Sequence, residues 1–287
     1  MPNYKRDFLT ERHDDYEDKF QDWHFHLLSY IGGQDYQNGY LLNRYVLESD
    51  EEYIKRTNNT PIDNHCKNVV QIYSSFLFRV PPTRNYGTLS GDEQLENFLK
   101  DADLDGRSFD NIIREMQINA SIYGTCWAIM DKPAVQTETR AEEIQLDIRP
   151  YLSIYTPENV LNWNYQRMIN GRYELTSLTL LENLSNDVAT IRVWTKEDIT
   201  TVMVKDFSKG YSTSNPILID EMPNMIGEIP AITLYNQKSQ RRGIGISDLQ
   251  DVAELQKSIY NDYSEIEQLI RLSNHPSLVK TPNVEAS

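Results

Sequence analysis

Carboxylates alternate at Asp101-Ala102-Asp103-Leu104-Asp105-Gly106, the spacing in this chain that most resembles a metal site. It matches the opening of an EF-hand calcium loop, whose hard cation takes six to eight oxygens and needs a bidentate carboxylate at the twelfth position. The twelfth position here is Ile112 and the eighth is Ser108, so the closing ligand is missing. The plainer reading is a turn, bent at Gly106, that leads into a helix capped by Ser108. Trp23-His24-Phe25-His26 offers two imidazoles, but a metal site needs three or four ligands, and His13, His65 and His275 lie in unrelated contexts. Packing or interface use is the expectation for these histidines, with no metal and no cofactor.

Signatures of catalysis are missing from the sequence. It has no Gly-rich phosphate loop ending in Lys-Ser/Thr, no Gly-x-Ser-x-Gly and no strand-associated Gly-x-Gly-x-x-Gly. Gly243-Ile244-Gly245-Ile246-Ser247 lacks the third glycine of a dinucleotide fingerprint and reads as a hinge before a helix. No catalytic residue is assigned, and the chain is expected not to be an enzyme. Lys+Arg 28 against Asp+Glu 43 gives a formal charge of −15. That balance argues against tight, sequence-independent DNA binding, where cations must replace counterions on phosphates. It suits a surface that DNA passes without sticking, and equally suits plain solubility. The two cysteines, Cys66 and Cys126, sit in apolar stretches and read as small buried hydrophobes rather than a disulfide, which favours a reducing compartment. No apolar run approaches the ~18 residues of a membrane span, and the charged N-terminus lacks a signal-peptide core. The expectation is a soluble protein made inside the cell.

The elements that would position these residues read as helices first, then a meander, then a helix. Residues 1–35 mix Tyr, Asp, Glu and Lys with little periodicity and suggest a loosely held arm. Ser49-Asp50-Glu51-Glu52 has the form of a capping box, so a helix follows Ser49. Another is expected from Thr60-Pro61, with Thr as N-cap and Ile62, Cys66, Val69, Val70, Tyr73 and Leu77 on its apolar face, ending before Pro81-Pro82. A third runs from Ser108 to Tyr123 with Phe109, Ile112, Ile113, Met116, Ala120 and Tyr123 on one side, and Gly124 stops it. Strands are expected at Thr125–Met130, around Ile144, Leu146 and Ile148, at Tyr173–Leu181, Val188–Thr195 and Thr200–Asp206, and at Ile229–Tyr235. Turns at Ser185-Asn186-Asp187 and Glu197-Asp198 make an antiparallel meander. The fold class is α+β.

The final helix, Asp248–Ser273, is the strongest pattern. Ser247 with Gln250 forms a capping-box start, and Asp248 suits the first turn. At ~100° per residue, Leu249, Val252, Leu255, Ile259, Tyr263, Ile266 and Ile270 share one broad apolar stripe. Asp248, Asp251, Glu254, Asp262 and Glu265 form an acidic stripe on its flank, with Lys257 and Arg271 on the far side. Such a helix, roughly 40 Å long, rarely finishes a globular enzyme unanswered. It suggests one wall of a multi-chain assembly or part of a longer protein, beside the plainer reading of a surface helix with a solvated flank.

Several segments, taken in order, carry a family resemblance. They are Tyr40-Leu41-Leu42 with Glu48-Ser49, Tyr53 and Arg56; Phe76-Leu77-Phe78-Arg79-Val80-Pro81-Pro82; and Phe98-Leu99 with Asp103-Leu104-Asp105-Gly106-Arg107-Ser108. The helix to Tyr123-Gly124, Asp131-Lys132-Pro133, and Arg149-Pro150-Tyr151 with Glu158-Asn159-Val160-Leu161-Asn162-Trp163 follow. Last come Ile229-Pro230-Ala231, Gly245-Ile246-Ser247-Asp248-Leu249, Asn261-Asp262-Tyr263-Ser264 and His275-Pro276. In this order the chain resembles the N-terminal part of tailed-bacteriophage portal proteins. The resemblance implies an arm at 1–35, a wing domain of helices and β meander at 36–240, a stem helix at 241–275 and the start of a clip at 276–287. It also implies a second stem helix, a channel loop and a crown beyond the sequence given. By the same resemblance the chain would be a ring subunit, usually in twelve copies, at the capsid vertex of the virion, made in the host cytoplasm. The ring would conduct double-stranded DNA in packaging and ejection and join head to tail. Its partners would be terminase, a head–tail adaptor and the major capsid protein, with no membrane. The apolar stripe would pack the stem and the acidic stripe would face the channel. A head–tail adaptor, a scaffold-binding module or, further off, an acidic calcium-binding module are the alternatives.

Overall fold

The computed structural model describes residues 12–133, 139–207 and 216–274. Helix α1 (Asp14–Ile31) begins with Asp14, Asp15 and Glu17, carboxylates at the positive end of the peptide dipoles. It buries Tyr16, Trp23, His26 and Ser29. Most of the described part of the expected loose arm is therefore helical. Its inward side chains carry polar atoms and stand between acids, which flattens the hydropathy contrast that reveals a helix. The short α2 (Gly33–Asn38) follows and buries Tyr36.

Helix α3 (Asp50–Asn59) starts at the expected capping box: Glu52 N–H donates to Ser49 Oγ at 3.3 Å and Ser49 N–H to Glu52 Oε2 at 3.0 Å. Thr60 does not start the next helix. It closes α3, its N–H and hydroxyl both donating to the Arg56 carbonyl. Helix α4 (His65–Leu77) begins later, where Asn64 Oδ1 accepts the Lys67 N–H at 2.8 Å. A hydroxyl one turn from an open carbonyl thus outweighs the Thr-Pro start signal. The inner side of α4 is Cys66, Val70 and Ser74, while Tyr73 and Leu77 of the expected apolar face are exposed.

Asp92 caps α5 (Glu93–Lys100), and Ser108 caps α6 (Phe109–Tyr123) by accepting the Asn111 N–H. Gly124, at φ +85°, ends α6 in the left-handed conformation. Strand β1 (Thr125–Asp131) follows at once. The alternation at Ile144, Leu146 and Ile148 gives no strand. Residues Arg140–Gln145 form a short helix, α7, with Glu142 N–H donating to Thr139 Oγ1. Local capping and two acids in the first turn override a weak two-residue period there.

Strands β2 (Tyr151–Tyr155), β3 (Val160–Arg167), β4 (Tyr173–Ser185), β5 (Val188–Thr195), β6 (Asp198–Lys205), β7 (Ile217–Pro223) and β8 (Ala231–Tyr235) come next. The expected meander is β4–β5–β6, and β3 and β7 extend it into a five-stranded antiparallel sheet in sequence order. Asn186 and Asp187 join β4 to β5 with φ of 49° and 63°, the geometry of a type I′ hairpin turn. A second antiparallel sheet, β2–β1–β8, packs α6 through Ile112, Met116, Ala120, Cys126, Ala128 and Leu152. The strand pair β9 (Gln237–Lys238) and β10 (Gly245–Ile246) leads to α8 (Gln250–Asn274). Mixed helices and antiparallel sheets make the chain α+β.

Contacts divide the chain into two compact units: Met1–Leu27 with Val69–Gln250, and Leu28–Asn68 with Asp251–Ser287. Within the second unit, α8 packs with the 28–68 segment through buried polar side chains. In the sheet-bearing unit, Trp127, Leu161, Leu178, Leu180, Ile191 and Trp194 are fully buried. In the helical unit, Tyr36, Leu42, Tyr53 and Tyr260 form the core.

Candidate functional site

The segment just before the final helix is closely packed within the sheet-bearing unit. Ser247 Oγ donates toward the carbonyls of Ser121 and Ile122, at 2.9 and 2.6 Å, and accepts the Leu249 N–H at 2.9 Å. A β-carbon on Gly243, at φ +83°, would run into the Trp163 indole, whose Nε1–H donates to the Arg242 carbonyl. Gly245 lies directly against the Gly124 backbone. The glycines are there for close packing. The helix itself begins at Gln250, so Ser247 holds the preceding turn instead of forming a capping box with Gln250. Asp248 precedes the helix and accepts from Asn236 Nδ2 at 2.8 Å.

The inward seam of α8 is not the apolar stripe. Ala253, Gln256, Tyr260 and Ser264 are its buried residues, spaced three, four and four apart, and Leu249 is buried just before the helix. Gln256 spans two backbone groups: its Oε1 accepts the Cys66 N–H and its Nε2 donates to the Ser29 carbonyl, both at 3.0 Å. Tyr260 meets Tyr36 edge-on, with ring centroids 5.3 Å apart. Ser264 Oγ accepts from Arg56 Nη1 at 2.9 Å. Arg56 is buried and forms a fork with Glu48, both N–O distances 2.7 Å, while Nη2 also donates to the Asn43 carbonyl. Its guanidinium lies 4.2 Å from the centre of the Tyr45 ring. The bidentate bond to Arg56 holds the Glu48 carboxyl below its ordinary value. These hydrogen-bonding positions tether the helix, and hydropathy reading passes over Gln and Ser.

The predicted stripe therefore splits. Leu249 is buried, Val252, Ile259 and Tyr263 are half-buried, and Leu255, Ile266 and Ile270 stand exposed, Leu255 at 62%. Leu269 is exposed beside them. Asp248, Asp251, Glu254, Asp262 and Glu265 are all exposed. Along its length α8 thus carries a buried seam and, opposite it, an exposed face on which Leu255, Ile266 and Leu269 lie among Asp251 and Asp262, with Glu254 and Glu265 at its margin.

The phage portal protein family of the SPP1 Gp6-like type matches residues 26–284. The chain belongs to that family. The search of curated proteins returns no match. The portal match spans the elements from the C-terminal part of α1 through α8, so the seam, the exposed face and the two sheets all lie on portal-family sequence.

The other candidate residues of this portal-family chain are held in structural contacts. Asp103 Oδ1 accepts the N–H groups of Asp105 and Arg107, and Asp101 Oδ1 accepts that of Gly106. Their remaining oxygens face Arg107 and Arg149. The Arg107 guanidinium, helped by the N–H groups of Asp105 and Arg107, holds the Asp103 carboxyl down at about 2 despite its burial. Among the described residues no group of three or more His, Cys, Asp or Glu is placed to hold a metal ion. His13 stacks on Trp163 at 4.2 Å, and His24 stacks on Phe20 and lies 3.5 Å from Glu158. His26 is buried and His65 faces Asp63, while His275 lies outside the described residues. Both thiols are free and buried, and burial pushes each up to about 12, far from a reactive thiolate. Among the described residues no helix is long and apolar enough to cross a membrane.

Proposed function

We propose that this portal-family chain is the subunit of a closed ring at one vertex of the capsid. The ring conducts double-stranded DNA during packaging and ejection, and connects head to tail. The observation that carries this reading is the final helix, buried along one side and exposing apolar and acidic side chains along the other. Its polar seam ties it to its own chain and leaves the apolar flank, Leu255, Ile266 and Ile270 with Ile259 and Tyr263 beside them, facing outward for a neighbour. An interface between two different patches, repeated about an axis, closes a ring. Twelve copies are usual among the portal proteins that the chain resembles.

In this reading residues 36–240 are the wing, 241–275 the stem and 276–287 the start of the clip. The exposed acidic row faces the channel. Carboxylates there remove the phosphate-contact term, so DNA slides instead of adhering. The chain supplies no chemistry and needs no cofactor, and ATP hydrolysis belongs to the terminase docked on the ring. A head–tail adaptor and the major capsid protein complete the contacts in the virion, after synthesis in the host cytoplasm. Electron microscopy of the purified full chain tests the proposal. Class averages should show closed rings with a central opening wide enough for a DNA duplex; open filaments or solid particles would contradict it.

A further inference from the structure

Two exposed apolar patches on the sheet-bearing unit remain outside the role given to α8. The first lies on α4, where Ile72, Tyr73, Phe76 and Leu77 stand at i, i+1, i+4 and i+5 on one face and Val80 follows just past the helix. All are exposed, Phe76 at 69% and Val80 at 71%. Together they present apolar surface on the order of 500 Å², at the upper end of what a monomer leaves in water. The second patch lies at the open edge of the five-stranded sheet. Ile217, Leu218 and Ile219 of β7 are exposed there, as are Met225 and Ile226 in the turn that follows, Met225 at 89%.

The charges around the two patches are opposite. From Val69 to Gly91 the chain has no Asp or Glu but carries Arg79 and Arg84, although acids outnumber bases by 43 to 28 overall. Arg114 reaches the same helix, its Nε donating to Ser74 Oγ at 3.3 Å, and Arg84 pairs with Asp110. From Pro216 to Pro230 the chain has Asp220, Glu221 and Glu228 and no Lys or Arg. The β7 edge is also irregular. Thr201 pairs with Asp220 and Val202 with Leu218, so a bulge leaves Ile219 without a cross-strand partner. A bulge of this kind blocks simple strand-to-strand addition and turns the edge into a side-chain surface.

We propose that the apolar, basic-rimmed face of α4 docks on the apolar, acidic edge formed by β7 and its following turn in a second copy of this chain. The contact is heterologous: each copy offers both patches, and neither patch is complementary to itself. It rests on the ring reading above, and adds a subunit contact outside α8.

Cross-linking tests it. Phe76→Cys and Ile219→Cys are made as separate proteins, mixed, and treated with a bismaleimide whose spacer exceeds the reach of a disulfide. Cys66 and Cys126 are buried and stay silent. The mixture should give at least tenfold more linked dimer than either variant alone, and a chain carrying both substitutions should give a ladder. Self-linking of Phe76→Cys would overturn the proposal, as would its linking to Leu255→Cys on the α8 flank in place of Ile219→Cys. Mass photometry of the unsubstituted protein separates the two levels. A multimer with no Phe76–Ile219 link sinks this contact alone, while a monomer sinks the ring reading and the contact together.

Discussion

At the residue scale the helical unit depends on polar side chains that reach between distant parts of the sequence. Arg56 joins Glu48, Asn43 and Ser264, and Gln256 joins Cys66 to Ser29. Removing one member of a buried ion pair leaves the other charge uncompensated, at about 3–5 kcal/mol. Arg56→Ala should therefore lower the urea midpoint strongly, and Arg56→Lys should recover only part, because an ammonium cannot reproduce the fork. The sign with pH follows from Glu48. Its pKa is lowered in the folded state, so its contribution is full above the ordinary carboxylate range and is lost as pH falls through the lowered value. Urea midpoints of the parent should drop through that acid window, and those of Glu48→Gln should drop less. Gln256→Ala leaves a buried N–H and a buried carbonyl unpaired, about 1–3 kcal/mol each, and the Cys66 amide should exchange faster with solvent. None of these links was legible in the sequence, since Gln256 and Ser264 are polar letters on a helix whose leucines and isoleucines attract the eye.

At the element scale, what the sequence revealed was local chemistry. The Ser49 capping box, the Ser108-to-Gly124 helix and the β4–β6 meander each follow from neighbours within a few residues. What stayed hidden was decided by tertiary partners for the buried aromatic side of α1 and the inward face of α8, and by competing local caps for the late start of α4. The exposed flanks of α8 can be changed without touching that face. Leu255→Asp with Ile266→Asp should leave the unfolding midpoint of the chain nearly unchanged, since exposed substitutions usually stay within about 0.5 kcal/mol. It should lower the assembled fraction at a given concentration. Asp251→Lys with Glu254→Lys and Asp262→Lys should make the assembly retain DNA at low salt, with retention falling steeply as salt rises. Unchanged passage of DNA would move the channel surface elsewhere.

At the scale of the whole molecule, membership of the portal family and the free flanks of α8 converge on assembly as the chain's purpose. The −15 charge also belongs to this scale. In the proposed ring a conduit for a polyanion would be served by repulsion, and subunits that repel one another would need desolvated apolar contacts to stay together, so rings should hold better as salt screens that repulsion. Light scattering on the purified full chain tests this most directly. The expected result is one species whose mass is a whole multiple of 33.5 kDa, persisting on dilution and in high salt. A strictly monomeric particle at every concentration and salt would contradict it.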